Sequence, residues 1–184
     1  MGPRRRWGVS ILFVALLGAG CGAPTSPATA RPAAPSYDEY FVAACAAWDA
    51  LFRAVGNPDT GSGSDLSKSL DQAVKASDVA SAQRLAGAIV KELEAGRQQV
   101  AVAGGWQPRA AVMVQLDRVF VGFEAMTAAK VSVARHDPNA VDPQAALEQA
   151  GGVDAWFAMF EAARSAGMTG AATEKECPNV PVSP

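Results

Sequence analysis

The chain has 184 residues, of which 49% are hydrophobic and 18% are charged, and its formal net charge is −2. This apolar content is enough for a core, which excludes disorder over most of the length. With 16 basic and 18 acidic residues, the chain has no basic excess for binding nucleic acid, and its abundant alanine favours helix.

The first 21 residues have the three parts of an export signal. Arginines at 4–6 form a positive start, an apolar run follows over 9–17, and small residues precede Cys21. The apolar run is too short to span a membrane as a helix, which needs about 20 residues. We therefore predict a signal peptide over residues 1–20, and the triple arginine leaves both general secretion and twin-arginine export open.

The segment LGAGC, from Leu17 to Cys21, resembles the lipobox of bacterial lipoproteins, with Gly18 where that class prefers leucine. The resemblance is confined to this N-terminal segment. In that class the cysteine is acylated and becomes the new N-terminus. The resemblance implies that Cys21 carries a lipid anchor, on the outer face of the cytoplasmic membrane or on the outer membrane, and that the domain is extracytoplasmic. The alternative is cleavage elsewhere, for instance near Ala30, with Cys21 lost.

Three cysteines, Cys21, Cys45 and Cys177, leave one thiol over in an exported protein. Lipidation would use Cys21, so we predict a disulfide between Cys45 and Cys177 in an oxidising compartment. The alternative is two separate buried thiols. Neither cysteine lies in a CxxC motif or has a histidine nearby, which disfavours a redox or metal role.

Residues 21–36 form a predicted tether between the anchor and the folded domain. The segment is rich in proline and small residues, which prevents packing and favours an extended chain. Loss of residues 1–20 leaves 13 basic and 18 acidic residues, a net charge of −5. That acidic balance disfavours nucleic acid as a partner and makes membrane attachment depend on the lipid.

Apolar residues spaced three and four apart predict helices throughout residues 37–166. The first begins at a capping box formed by Ser36 and Glu39, and its apolar stripe includes Cys45 and Trp48, so both are expected to face the core. Glycine pairs, Gly151 and Gly152 among them, are interpreted as helix breaks. The predicted helices are 37–55, a short one at 65–75, a long one from the cap at 77–78 to 103, 108–135, a short one at 143–150, and 153–166.

The sequence thus predicts an all-α bundle of about four main helices with one or two short ones, followed by an irregular tail over 167–184. The helix over 108–135 is apolar on more than one side, Val114 belonging to a second side, which predicts a central position. Lys130 continues its main stripe. We interpret Lys130 as an alkyl stem on the core with its ammonium in water, the alternative being a functional buried lysine.

Candidate catalytic groups are few. The single histidine, His136, lies at a predicted helix end, where a cation suits the helix dipole. No nucleophile elbow or phosphate-binding glycine loop is present, and we expect no metal and no cofactor. Four carboxylates are predicted to lie on polar faces: Glu92, Glu94, Glu124 and Glu161.

The aromatic residues at helical spacing are interpreted as core, although they could instead line a pocket for an apolar ligand. They are Trp48, Phe52, Phe120, Phe123, Trp156, Phe157 and Phe160.

Three functions are compatible with this sequence. The first is an anchored interaction module whose partner is an envelope protein or a wall component, and it is favoured by the tether. The second is a carrier of a small apolar molecule within the bundle. The third is an enzyme with a site that no motif reveals.

Overall fold

The structure is a computed structural model that describes residues 34–57 and 61–168. All of the described helices belong to one compact unit, Ala33–Pro184. In this part the chain forms six α-helices and one 3₁₀ turn, Gln107–Arg109, and no β-strand. The helices are α1 (Tyr37–Val55), α2 (Asp65–Lys75), α3 (Val79–Ala103), α4 (Ala110–Ala134), α5 (Pro143–Gln149) and α6 (Gly152–Ser165).

The predicted all-α bundle is confirmed, with α1, α3, α4 and α6 as its main helices and α2 and α5 as two short ones. The predicted signal peptide, the lipidation site Cys21, nearly all of the tether and most of the tail with Cys177 lie outside the described residues. They stay predictions. None of the described helices is both long enough and apolar enough to cross a membrane.

α1 packs antiparallel on α3 through small side chains. Arg53, near the end of α1, forms an ion pair with Glu92 of α3, whereas Tyr40, near its start, packs on Trp106 just beyond α3. Alanine dominates the buried face of α1, and short side chains let two helices approach closely. The buried residues of α1 are Tyr40, Ala43, Ala44, Ala47, Ala50, Leu51 and Ala54.

The predicted apolar stripe of α1 is therefore only partly right. Cys45, Trp48 and Phe52 are half-buried and lie beside the alanine face. The Trp48 ring packs against Trp156 of α6, with 5.8 Å between ring centroids. Alanines form most of the buried face of α1, and these three larger residues occupy its flank. The sequence predicts that Cys45 faces the core, but the structure places it half-buried on this flank.

α4 is central, as predicted, since it contacts α2, α3, α5 and α6. Its fully buried Phe120 lies opposite Gly96 of α3, where a Cβ would come within 2.5 Å of the ring. The lack of a side chain at Gly96 is what makes room for the ring between α3 and α4. Val114, assigned to a second apolar side, is instead 52% exposed.

The end of the tether packs on the turn between α3 and α4. A Cβ at Gly105 would lie only 2.8 Å from Pro35 Cδ, so the proline sits directly on the glycine. Beside this contact the guanidinium of Arg109 lies over three aromatic rings, 5.3 to 5.8 Å from their centroids. The protein's own cation thus fills this aromatic cluster and helps to fix the start of α1. The rings belong to Tyr37, Tyr40 and Trp106.

Candidate functional site

A cleft of about 590 Å³ opens between α2 on one side and α5 and α6 on the other, with α4 as its floor. This volume lies within the range of about 300–1,000 Å³ that is typical of small-molecule sites. Most of the side chains that line it are apolar. They include Val119, Phe123, Met126, Leu147, Trp156 and Phe157.

The floor of the cleft is one face of α4. Val119, Phe123 and Met126 follow at spacings of four and three, which places them on the same side of the helix. Val119 is buried, and the other two are half-buried and turned to the cleft. The neighbouring Thr127 hydroxyl is satisfied within the helix, because it donates to the Phe123 carbonyl at 2.8 Å. The floor can therefore accept apolar groups without leaving that hydroxyl unpaired.

A contact between two glycines sets the distance between α4 and α6 beside the cleft. A Cβ at Gly122 would lie 2.6 Å from Gly152 Cα and 2.8 Å from Leu147 Cδ1. Gly151, with a φ of 75°, makes the turn that starts α6. The interpretation of Gly151 and Gly152 as a helix break is thus right for Gly151 and incomplete for Gly152, which is needed for close packing.

Aromatic residues of α6 form the second wall. Trp156 is half-buried and makes edge contacts with Trp48 and Phe160, whereas Phe157 is 65% exposed at the cleft. The interpretation of the aromatic residues as core is therefore right for Phe120 and wrong for Phe157. An exposed phenylalanine is ordinary by itself, but here it extends an apolar surface that a ligand would cover.

The wall formed by α2 is held by the loop that precedes it. Ser64 caps α2 by accepting from the Ser67 amide at 3.1 Å, and its own hydroxyl donates to the Ala54 carbonyl at 2.9 Å. The backbone N–H of Asn57 also donates to the Ser62 carbonyl at 2.9 Å. These bonds tie the start of α2 to the end of α1, so this wall has a defined position relative to the floor.

Lys130 connects the floor to the α2 wall. Its Nζ lies 2.6 Å from Asp71 Oδ1, and its side chain is only 13% exposed. The prediction that this ammonium lies in water is wrong, because α2 crosses the end of the α4 stripe and offers a carboxylate there. The alkyl stem continues the face that carries Met126, so the ion pair links α4 to α2 beside the cleft.

Outside the cleft, ion pairs join Arg97 of α3 to two carboxylates of α4. Arg97 of α3 binds Asp117 through Nε at 2.9 Å and lies 3.5 Å from Glu124 Oε1. The hydrogen bond with Asp117 raises the pKa of the Arg97 guanidinium above its ordinary value, and the charge of Glu124 adds to this. The prediction that Glu124 lies on a polar face is wrong for its Oε1 atom, which is buried beside Arg97.

Of the predicted site residues, only Cys45 belongs to the described part. It is half-buried on the α1 flank. Its predicted partner, Cys177, lies outside the described residues, as does Cys21, so the pairing stays a prediction.

His136 lies exposed in the turn after α4, where its backbone N–H donates to the Val133 carbonyl at 3.0 Å. Its φ of 53° is a left-handed conformation that often ends a helix. Within residues 34–57 and 61–168, no three histidine, cysteine or carboxylate side chains come together as metal ligands would.

Sequence reasoning missed the polar residues of the cleft, above all Lys68 and Asp71. Both lie on the solvent side of the α2 pattern, which is ordinary for any surface helix. No local signal distinguishes them, because their significance comes from the position of α2 across α4.

No family model, curated protein or solved structure matches the chain.

Proposed function

We propose that this protein is an exported lipoprotein, anchored through Cys21, whose helical domain binds a small apolar ligand in the cleft between α2 and α6. The single observation that supports ligand binding is the cleft itself, with its apolar floor and the exposed Phe157 beside it. Of the functions compatible with the sequence, the carrier is the one this geometry favours.

The anchor has a direct test. Cys21→Ser should release the protein from the membrane fraction, and labelling with radioactive palmitate should be lost with it. A Cys21→Ser protein that still sediments with membranes and still incorporates the label would show that the anchor is misassigned.

Ligand binding can be tested by filling the cleft. Val153 lies in the α6 wall, and Val153→Trp should occupy the space between the walls. Val114→Trp is the matched control, because Val114 is 52% exposed on α4 and does not line the cleft. Titration of the unit Ala33–Pro184 with N-phenyl-1-naphthylamine should give a saturable rise in fluorescence that Val153→Trp abolishes and Val114→Trp retains. Equal signals from both variants would contradict binding in this cleft.

Native mass spectrometry of the purified unit gives a second measurement. A carrier should retain a ligand from its host or bind an added apolar one, and Val153→Trp should retain neither.

The second candidate is an interaction module for an envelope protein or wall component. Phe157 favours it, because this 65% exposed side chain extends the apolar surface at the cleft, and contiguous exposed apolar surface is typical of interaction sites. Crosslinking in cells through a photoreactive residue at position 157 should then capture a distinct macromolecule. Crosslinks to small lipids alone would support the carrier.

The proposal includes the disulfide between Cys45 and Cys177. It is supported by the position of Cys45 on the half-buried flank of α1 and by Met168, near the start of the tail, which packs against the core. Under non-reducing conditions the intact mass should be two hydrogens lower than in the reduced protein. Two thiols that react with iodoacetamide before reduction would contradict it.

A further inference from the structure

The charged groups at the cleft are unevenly balanced. Lys68 and Asp71 lie one turn apart on α2, and both line the cleft. The Asp71 carboxylate is paired with Lys130 Nζ at 2.6 Å. Lys68 is exposed and forms no ion pair within the part of the chain that the structure describes. The described lining of the cleft thus carries one positive charge that no ion pair compensates, in a protein with more acidic than basic residues.

The other polar groups of the cleft are neutral. Asn57 and Gln144 offer amides, and Ser67 is buried in the wall. Asp65 lies one turn before Lys68 on α2 but does not line the cleft. A ligand in the cleft would therefore meet an apolar floor and, at its edge, a cation for which no unpaired carboxylate competes among the lining residues that the structure describes.

We propose, building on the proposed function, that the cleft binds a free single-chain amphiphile with an anionic headgroup. The chain lies along Phe123 and Met126 of the α4 floor, and the headgroup, a carboxylate or a phosphate monoester, pairs with the Lys68 ammonium. A cationic headgroup is disfavoured because it would face Lys68, while Asp71, the one carboxylate among the described lining residues, is already paired.

The test compares ligands with the same ten-carbon chain and different headgroups. Decanoate, decyl phosphate, decan-1-ol and decyltrimethylammonium are titrated below their micelle concentrations against N-phenyl-1-naphthylamine bound to the unit Ala33–Pro184. At low ionic strength both anions should bind about three- to fivefold more tightly than the alcohol, as expected for an exposed ion pair. The cationic ligand should bind more weakly than the alcohol, and 0.5 M salt should reduce these differences.

Substitution of the cation identifies its role. Lys68→Met should remove the preference for the anions and leave affinity for the alcohol unchanged. Lys75→Met is the matched control, since Lys75 is an exposed lysine of the same helix outside the cleft, and it should retain the preference. Decanoate binding that exceeds alcohol binding equally in both variants would overturn the role of Lys68.

The two proposals fail differently. If the alcohol and the anions bind with equal affinity and Val153→Trp abolishes both, the cleft binds apolar chains but the inference about headgroups is wrong. If none of the four ligands displaces the probe, the proposed function fails as well. Selective binding of decyl phosphate or of decanoate alone would support the inference and distinguish the two headgroups.

Discussion

The two sides of α4 are packed in different ways. Toward α3 the contact is filled by the Phe120 ring, which fits against Gly96. Toward α2 and α6 the same helix presents Phe123 and Met126 to a cleft. Small residues bring helix axes close and leave no space, whereas large residues at a wider separation leave a gap that side chains only partly fill. One side therefore stabilises the fold, and the other is available for a ligand.

The largest expected difference between the two sides comes from removing an aromatic ring. Phe120→Ala should lower the free energy of unfolding by about 3–5 kcal/mol, because it leaves a cavity in the packed contact between α3 and α4. Phe157→Ala should change it by no more than about 0.5 kcal/mol, since that ring is already in water. Urea denaturation of both variants measures this. Similar losses would mean that the cleft side is as tightly packed as the other.

Gly96→Ala tests how closely α3 approaches Phe120. Alanine is usually the better helix residue, but its Cβ would meet the Phe120 ring, so we expect a loss of about 1–3 kcal/mol. Gly87→Ala is the control in the same helix, where a Cβ meets nothing within 4 Å. It should stabilise by about 0.5–1 kcal/mol. Thermal denaturation that shifts both variants in the same direction would contradict the close contact.

A smaller effect is expected on the side of α4 that faces the cleft. Lys130→Met keeps an apolar stem there and removes the ammonium. Asp71 is 47% exposed and regains water, so the free energy of unfolding should fall by no more than about 1 kcal/mol. The cleft should become less well defined, seen as faster amide exchange in α2. Lys91→Met, at an exposed position on α3, should change neither. Unaltered amide exchange in both Lys130→Met and Lys91→Met would contradict a role of the Lys130–Asp71 ion pair in holding α2.

The smallest effect concerns helix starts. The backbone amide of Ser36 holds the pKa of Glu39 below its ordinary 4.5, and the amide of Ser81 holds the pKa of Asp78 below 3.8. Because both values are lowered in the folded state, these caps of α1 and α3 stabilise it above the ordinary values. Their contribution is lost as pH falls through the lowered ones. α6 starts at Gly151 without a side-chain cap, so no capping carboxylate of this kind holds its first turn.

Amide exchange at pH 6 and pH 3 measures this difference between the helix starts. The first turns of α1 and α3 should lose protection in acid, and Glu39→Gln with Asp78→Asn should reduce the change with pH. Equal loss of protection at the first turn of α6 would contradict a role for the two carboxylates.

Local signals were sufficient to predict the helices. Ser36 with Glu39 forms the expected capping box, and Gly56 ends α1, so the bounds of this helix follow from nearest neighbours in sequence. The buried face of α1 could not be predicted in the same way. Periodicity indicates which residues are apolar, but whether alanine or tryptophan is buried depends on the separation from the facing helix.

The cleft depends wholly on tertiary placement. Phe123 and Trp156 were identified as aromatic residues of the bundle, but a gap between them exists only because Gly122 and Gly152 fix how α4 and α6 cross. Lys68 carries no distinguishing signal at all, since an exposed lysine on an amphipathic helix is ordinary. Such a residue can be recognised only once the facing helix is known.

If the proposed anchor at Cys21 holds the protein, the contact between Pro35 and Gly105 has a mechanical consequence. Tension along the tether would be delivered where Pro35 meets the turn after α3, next to Arg109 and its aromatic neighbours. The cleft begins near Val55, at the far end of α1, roughly 27 Å away at 1.5 Å per residue. The contact that would receive this tension and the start of the cleft thus lie at opposite ends of α1.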